Sequence, residues 1–358
     1  MRHNPGGGKR AEVSERRQAA GPPNSPTLAD VAREAGVSRQ TVSNVLHAAH
    51  KVKPDTRQRV EQAIAALGYH PNRSAQALQS STSRMIGYRI EPQGSGTLAG
   101  IHDRFLHSLA AAGRAADHHM LLYTAADHVA EADSAIRLFR SGAADAFVLY
   151  DIIADDPRPP VLLELGIPFV AFGHNDLDGY RWVDVDNVAG TSAAVDHLVS
   201  RGHRRIGFMG WPAGDNVGDR RAHGWRRSIE RHGLIPLCHA LDVRGADSVQ
   251  AAVEMAFLLL DRPEPPTAIV AATDTLAAGV TRAALRWGLD VGRDLAVVGF
   301  DDTPTAAVLE LSSVRQPIED VGRHIVATLL APDTEPFRNQ LLAPQLIIRS
   351  SSASPAPR

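Results

Sequence analysis

TLADVAREAGVSRQTVSNVLHAAHKVKPDTRQRVEQAIAALGYHPNRSAQALQ, residues 27 to 79, decides how the chain begins. Leu28, Val31, Ala32 and Ala35 recur at i, i+3, i+4 and i+7, which lays one apolar stripe along a short helix. Gly36 then offers a residue able to take positive φ at the helix end. Ser38 fits the N-cap of a second helix whose apolar face is Val42, Val45 and Leu46. Two short helices joined by a tight Gly-containing turn form the helix-turn-helix geometry that lets the second helix enter a major groove. The outer side of that helix carries Arg39, Gln40, Thr41, Ser43 and Asn44. Arg forks onto guanine O6 and N7, and Gln or Asn onto adenine N6 and N7, so base reading is the first expectation and a solvated polar face the bland alternative.

A third helix follows, with Pro54 at its first position, Val60, Ile64 and Leu67 on one face and Gly68 as its stop. Lys53 stands where a capping side chain belongs, so this terminus should be weaker by about 1 kcal/mol than one begun by Ser. Lys51 and Lys53 suit phosphate contact or plain solvation equally well. Segment 71 to 79, PNRSAQALQ, is too short and polar to hold a helix alone. Leu78 has no core to join there, which leaves two readings: a wedge between base steps in a minor groove, or a linker leucine packed on a neighbouring domain.

Residues 27 to 79 resemble the headpiece and hinge of the lactose-repressor and galactose-repressor (LacI/GalR) family through TLADVAREAGVSRQTVSNVL, VKPDTRQRV and LGYHPNRSAQAL. The resemblance implies that Arg39, Gln40 and Asn44 read base edges. It implies that Thr27, Ser38, Thr41, Ser43 and Asn72 fix the backbone register. Ala75 and Leu78 match hinge-helix positions at the minor groove, with Leu78 as the wedge, while Gln79 stands where the family often has a small residue.

Charge agrees with a DNA-binding head on a separate body. Residues 1 to 80 hold 12 Lys and Arg against 6 Asp and Glu, whereas the remaining 278 hold 26 against 34. A basic head is steered to phosphates while an acidic body stays off them. Residues 1 to 26, with GGGKR, SERR and GPPNSP, lack periodicity and read as a disordered extension. The single cysteine, Cys238, excludes an intrachain disulfide and points to a reducing cytoplasm. No apolar run approaches the roughly 20 residues that cross a bilayer, and no secretory signal opens the chain, so no membrane partner is expected.

From Met85 the pattern changes to apolar strands separated by helices. The strands are MIGYRI (85 to 90), HMLLYTA (119 to 125), AFVLYD (146 to 151), PFVAFG (168 to 173), RRIGFMG (204 to 210), TAIVAAT (267 to 273) and LAVVGFD (295 to 301). Helical stretches include 189 to 202 and 246 to 261. Such alternation gives an α/β fold with parallel sheets, and ligands of such sheets bind beyond the carboxyl ends of the strands. WVDVDNVAG, LVSRGHRRIGFMG, DRRAHGWRRSIERHGL, AATDTLAAGV and LAVVGFDDT resemble the same family's two-lobed, type I periplasmic-binding-protein-like core.

The resemblance divides the chain into an all-α headpiece (27 to 70), a hinge helix and linker (71 to 84) and an effector-binding, dimerising core (85 to 350), with 351 to 358 as a disordered tail. Lobe one would span about 85 to 185 and 318 to 333, and lobe two about 186 to 314 and the last strand, 340 to 349. The chain would cross between lobes three times.

By position, Arg221 matches the family's effector-binding arginine and Asp301 its carboxylate, a pair suited to a polyol. Their bland alternative is an ion pair of the surface. Thr273 stands where several members have Asn, and Gly173 where one member has a carboxylate, so no one ligand's contact set transfers. Trp211 follows a strand end and suits stacking on a sugar ring, while Trp182 and Trp225 fit the core. PQGSGTL, 92 to 98, would line the cleft from lobe one. Without GxGxxG or GKS/GKT, it is a poor phosphate cradle.

The sixteen histidines form no HExxH, and there is no GxSxG, so neither a metal, a cofactor nor catalysis is expected. The expected function is a homodimeric repressor of palindromic operator DNA, controlled by a sugar or oligosaccharide, with a purine as the alternative class. A sugar-binding receptor is the rival reading, and a sugar-processing enzyme a distant third.

Overall fold

The computed structural model describes residues 26–69, 82–90, 100–238, 240–332 and 338–356. Asn72, Ala75, Leu78, PQGSGTL and the N-terminal extension before Pro26 lie outside these residues. The described chain divides into an N-terminal unit up to Tyr69 and a second unit from Thr82.

The first unit is three α-helices and one 3-10 turn. Helix α1 (Leu28–Glu34) opens with a capping box: Asp30 N–H donates to Thr27 Oγ1 at 3.4 Å, and Thr27 N–H donates to Asp30 Oδ2 at 2.9 Å. Gly36 takes φ +61°, which lets Val37 N–H reach Ala32 O at 2.9 Å and closes the helix. Helix α2 (Arg39–His47) is capped by Ser38, whose Oγ accepts from Thr41 N–H at 3.1 Å. A 3-10 turn (Ala49–Lys51) leads into α3 (Pro54–Leu67), where Lys53 makes no side-chain capping bond. Val31, Ala32, Ala35, Val42, Val45, Val60, Ala63 and Tyr69 form one buried cluster.

The second unit holds two six-stranded sheets. The first lobe runs β1 (Met85–Arg89), α4 (Gly100–Ala115), β2 (His119–Tyr123), α5 (His128–Arg140), β3 (Ala146–Leu149), α6 (Arg158–Glu164), β4 (Phe169–Phe172) and β5 (Trp182–Val185). The second runs α7 (Asn187–Ser200), β6 (Ile206–Gly210), α8 (Asn216–Arg231), α9 (Ile235–Cys238), β7 (Asp242–Arg244), α10 (Val249–Leu260), β8 (Ala268–Ala271), α11 (Asp274–Arg286), β9 (Ala296–Asp301), α12 (Pro304–Val308) and β10 (Ser312–Arg315). Helix α13 (Ile318–Leu330) returns to the first lobe, where Ser108 Oγ of α4 donates to Ile318 O at 3.0 Å. The last elements are β11 (Gln340–Leu342), β12 (Gln345–Ile347) and α14 (Ser350–Ala353).

Strand order is β11-β5-β4-β3-β1-β2 in one sheet and β12-β10-β9-β8-β6-β7 in the other. Pairing is parallel except for β10 with β12. Each sheet is covered by helices, so its strands read as continuous apolar runs, such as Ile206, Phe208 and Met209, all buried.

Two expectations need correction. Residues 340 to 342 belong to the first lobe, because β11 pairs in parallel with β5; only β12 joins the second. The chain therefore changes lobe within the two residues, Ala343 and Pro344, between Gln340–Leu342 and Gln345–Ile347. Nor are residues 351 to 356 a disordered tail. Ser351 and Ser352 are buried, Ser351 Oγ donates to Val297 O at 2.6 Å, and Ala356 N–H donates to Arg201 O at 2.9 Å. Serine hydroxyls satisfy strand-end backbone here, and they give no apolar signal in the sequence.

Candidate functional sites: a helix-turn-helix surface and an interlobe cleft

On the headpiece, the cap and the turn aim one polar face outward. Arg39 and Gln40 are exposed, while Thr41, Ser43 and Asn44 are half-buried. Gln40 Nε2 donates to Asn44 Oδ1 at 3.1 Å, so these two amides lie together one turn apart. Ser38 and Thr41 share a hydroxyl contact of 2.9 Å. Thr27 and Ser38, expected at the DNA backbone, both serve as helix caps.

The cleft is built at the carboxyl ends of strands. Arg221, on α8, is 3% exposed and its guanidinium lies 3.7 Å from the Phe300 ring centroid. Its Nε donates to Asn187 Oδ1 at 2.8 Å and its Nη1 to Ala272 O. Asp301 Oδ1 lies 3.5 Å from Arg221 Nη2 and accepts from Gln316 Nε2 at 2.6 Å. This is a buried pair, not an ion pair of the surface. Burial pushes the Asp301 carboxyl up to about 7; Arg221 pulls it down and Asp274 raises it further. Burial likewise lowers the Arg221 guanidinium.

Asp301 also holds an uncommon backbone, φ +103°, a strain of order 1–3 kcal/mol that its neighbours must sustain. They do so through Asp302, whose carboxylate takes Arg315 at 2.7 Å and Arg349 at 2.7 Å and whose N–H donates to Ser313 Oγ at 2.9 Å. Asp274 is a fastening of the same kind: Ser313 Oγ and Thr303 N–H donate to it, each at 2.6 Å.

Trp211 stands with its ring 5.3 Å from the Arg221 guanidinium and hydrogen-bonds Asp247. Thr273 Oγ1 caps α11 and donates to Asp247 Oδ1 at 2.6 Å, so its hydroxyl is engaged within the protein. Gly173 takes φ +101° in the first lobe, where an L side chain would be strained, and contributes backbone only. Trp225 is a core residue, whereas Trp182 is half-buried and stacks on His174 at 4.0 Å. The structure thus joins Arg221, Asp301 and Trp211 directly, links Thr273 through Asp247, and leaves Gly173 on the opposite lobe.

Several contributors were not read from sequence. Asn187, Asp247 and Gln316 follow β5, β7 and β10 within three residues, and Asp184 lies within β5. Polar residues at strand ends were the available signal, but none of these three strands had been delimited. The lobes meet through Asn216, whose Nδ2 donates to Ile152 O at 3.0 Å and to His174 O, and through Arg220 Nη2, which donates to His174 O at 3.3 Å. Arg104 of α4 reaches Asp301 O at 3.5 Å. A cavity of about 850 Å³ runs beside this junction along the outer side of α8, past Asn216, Arg220, His223 and Arg244. Among the described residues there is no cluster fit to hold a metal, and no helix is long and apolar enough to cross a membrane.

Comparison with known proteins settles the family. Residues 27–72 match the family model "Bacterial regulatory proteins, lacI family", and residues 195–352 match "Periplasmic binding protein-like domain". The transcriptional regulator CelR of Thermobifida fusca is 32% identical over 351 residues, covering 91% of this chain and 98% of CelR. The chain belongs to the lacI family. It is a DNA-binding transcriptional regulator and not an enzyme. AglR of Rhizobium meliloti (strain 1021) is 33% identical over 92% of this chain and 95% of its own length. Among solved structures, the lac repressor dimer bound to operator and the anti-inducer ONPF superposes with a TM-score of 0.78 at 27% identity, covering 92% of this chain and 99% of that one. A CelR–cellobiose complex superposes with a TM-score of 0.68 at 29% identity, covering 91% and 99%.

Proposed function

We propose that this family member is a cytoplasmic homodimeric repressor whose operator affinity is set by a sugar or oligosaccharide in the interlobe cleft. The observation that carries the reading is the buried Arg221–Asp301 pair beside Trp211. Among the described residues its carboxylate accepts from Gln316 Nε2 at 2.6 Å, and its guanidinium is held by backbone and amide instead of by a close acid. Sugar hydroxyls donate to such a carboxylate and accept from such a guanidinium, and Trp211 offers apolar surface to sugar C–H groups. The solved relatives hold cellobiose in one case and operator with a small anti-inducer in another.

In the headpiece, Arg39, Gln40 and Asn44 would read base edges in a major groove, with Thr27, Ser38, Thr41, Ser43 and Asn72 on the backbone and Ala75 and Leu78 at the minor groove. A dimer places two such heads in successive grooves of a palindrome. Val308 (83% exposed) and Leu309 (41% exposed) offer an apolar contact for a second copy in the core. The Asn216, Arg220 and Arg104 bonds join the two lobes across the cleft. A ligand that favours one of two lobe arrangements shifts operator affinity by its differential affinity for the two.

Fluorescence anisotropy of genomic fragments flanking the gene, with and without a panel of sugars and purines, tests this reading. The expected result is tight palindrome binding that one sugar changes by tenfold or more. No fragment bound at low salt by a folded dimer would overturn it.

A further inference from the structure

The cleft is rich in carboxylates. Asp301, Asp247, Asp215 and Asp184 all act on Arg221, with Asp301 3.5 Å from it, and the charge of Asp151 in the first lobe acts on Asp215 in the second. Histidines stand beside them: His174 Nδ1 lies 2.8 Å from Asp184, His128 lies 3.6 Å from Asp151, and His102 acts on Asp247. Of the nearby arginines, Arg220 is held by neutral partners, Asn216 Oδ1 at 3.0 Å and His174 O at 3.3 Å, and three others pair with acids. Arg104 pairs with Glu319 at 2.9 Å, Arg244 with Asp242 and with Asp219 at 3.6 Å, and Arg158 with Asp156 at 2.6 Å. Arg221 is itself engaged by Asn187 and Ala272, with Phe300 against its face. Burial keeps the Asp215 and Asp247 carboxyls above the usual range, and at Asp215 the nearby Asp151 and Asp219 add to it.

We propose that these carboxylates set the charge of the effector: the cleft admits an uncharged polyhydroxy ligand and rejects phosphorylated sugars, uronates and nucleotides. Asp215 and Asp247 are the specificity-determining residues. The inference rests on the effector-cleft reading above. An anion entering here loses its water beside four acids, while the Arg221 guanidinium already spends two of its five N–H donors on Asn187 and Ala272. A neutral sugar instead supplies the hydroxyl donors that acids accept. Rejection is built by like charge, the repulsive half of specificity.

The test uses the full-length protein and titration calorimetry with cellobiose, maltose, lactose, raffinose and trehalose. These are set against trehalose 6-phosphate, glucuronate and AMP, with inorganic phosphate and sulfate at ionic strength matched by chloride. We expect a neutral sugar to bind and every anionic probe to bind about a hundredfold more weakly or not at all. Asp215→Asn with Asp247→Asn should narrow that gap about tenfold, since Asn keeps the α8 cap and the acceptor oxygen for Thr273; the melting midpoint checks folding.

Binding of a phosphorylated sugar or AMP at least as tight as that of the neutral sugars would overturn the inference. So would stabilisation by phosphate or sulfate that Arg221→Met removes. Silence from every neutral sugar would sink the sugar reading instead, and the charge inference would still stand or fall on the phosphate, sulfate and AMP arm.

Discussion

Two buried arginines, Arg158 in the first lobe and Arg221 in the second, show what separates a structural ion cluster from a binding one. Arg158 is fully buried and clasped by acids: its Nε donates to Asp156 Oδ1 at 2.9 Å, its Nη1 to Glu131 Oε2 at 2.7 Å and its Nη2 to Asp156 Oδ2 at 2.6 Å, with the Asp151 backbone O at 2.8 Å. Arg89 adds a second cation 2.8 Å from the same Glu131. Burial alone would lower the Arg158 guanidinium, but Asp156 and Glu131 outweigh it and the net shift is upward. For Arg221 burial wins and the net shift is downward, because its nearest carboxylate stands at 3.5 Å and its close partners are neutral. One cluster is closed upon itself. The other keeps interaction capacity that a ligand can use, and its acid, Asp301, is the group pushed up to about 7.

The sharpest way to break this contrast is Arg158→Met. It strands Asp156 and Glu131 in the first-lobe interior, and the core should lose about 3–5 kcal/mol in urea denaturation. A loss below about 1 kcal/mol would erase the distinction, since Arg158 would then be as dispensable to folding as we expect Arg221 to be.

A pH titration sharpens the binding side. The folded Asp301 carboxyl is raised above its unfolded value near 4. The stability it contributes is therefore fully present below that value and lost as pH rises through about 7. Hydroxyl donors favour the ionised form, so sugar affinity should move the opposite way and rise about tenfold from pH 6 to 8, read by calorimetry. A flat profile would mean that Asp301 does not meet the ligand as a carboxylate. A cap outside both clusters sets the lower end of the scale: Ser38→Ala should cost about 1 kcal/mol, in the headpiece transition alone.

The headpiece was legible because its signals are local. Thr27, Gly36, Ser38 and Gly68 mark ends through bonds to residues three to five positions away, and the apolar stripes follow helical period. Even there Ala63 and Tyr69 were absent from the expected faces, although both are buried in its core. The long apolar strands were also legible, because helices on both faces bury the central strands, as in β3 and β8, where every residue is buried. Strands β5, β7 and β10 were not, since WVDV, DVR and SSVR are short and carry polar residues. The strand-end residues Asn187, Asp247 and Gln316 went unread with them.

Arg221 and Asp301 came from family resemblance. They are eighty residues apart, and no periodicity links a helix residue to a strand end. Nor could spacing show that Arg158 and Glu131, 27 residues apart, share a buried contact.

The most direct test measures operator affinity of the wild type and of Arg221→Met, each with and without a saturating dose of the sugar that binds. The account predicts that the two bind operator equally without sugar, that the wild type changes its affinity tenfold or more with sugar, and that Arg221→Met does not respond. A normal response from Arg221→Met would contradict the assignment of the cleft as the regulatory site.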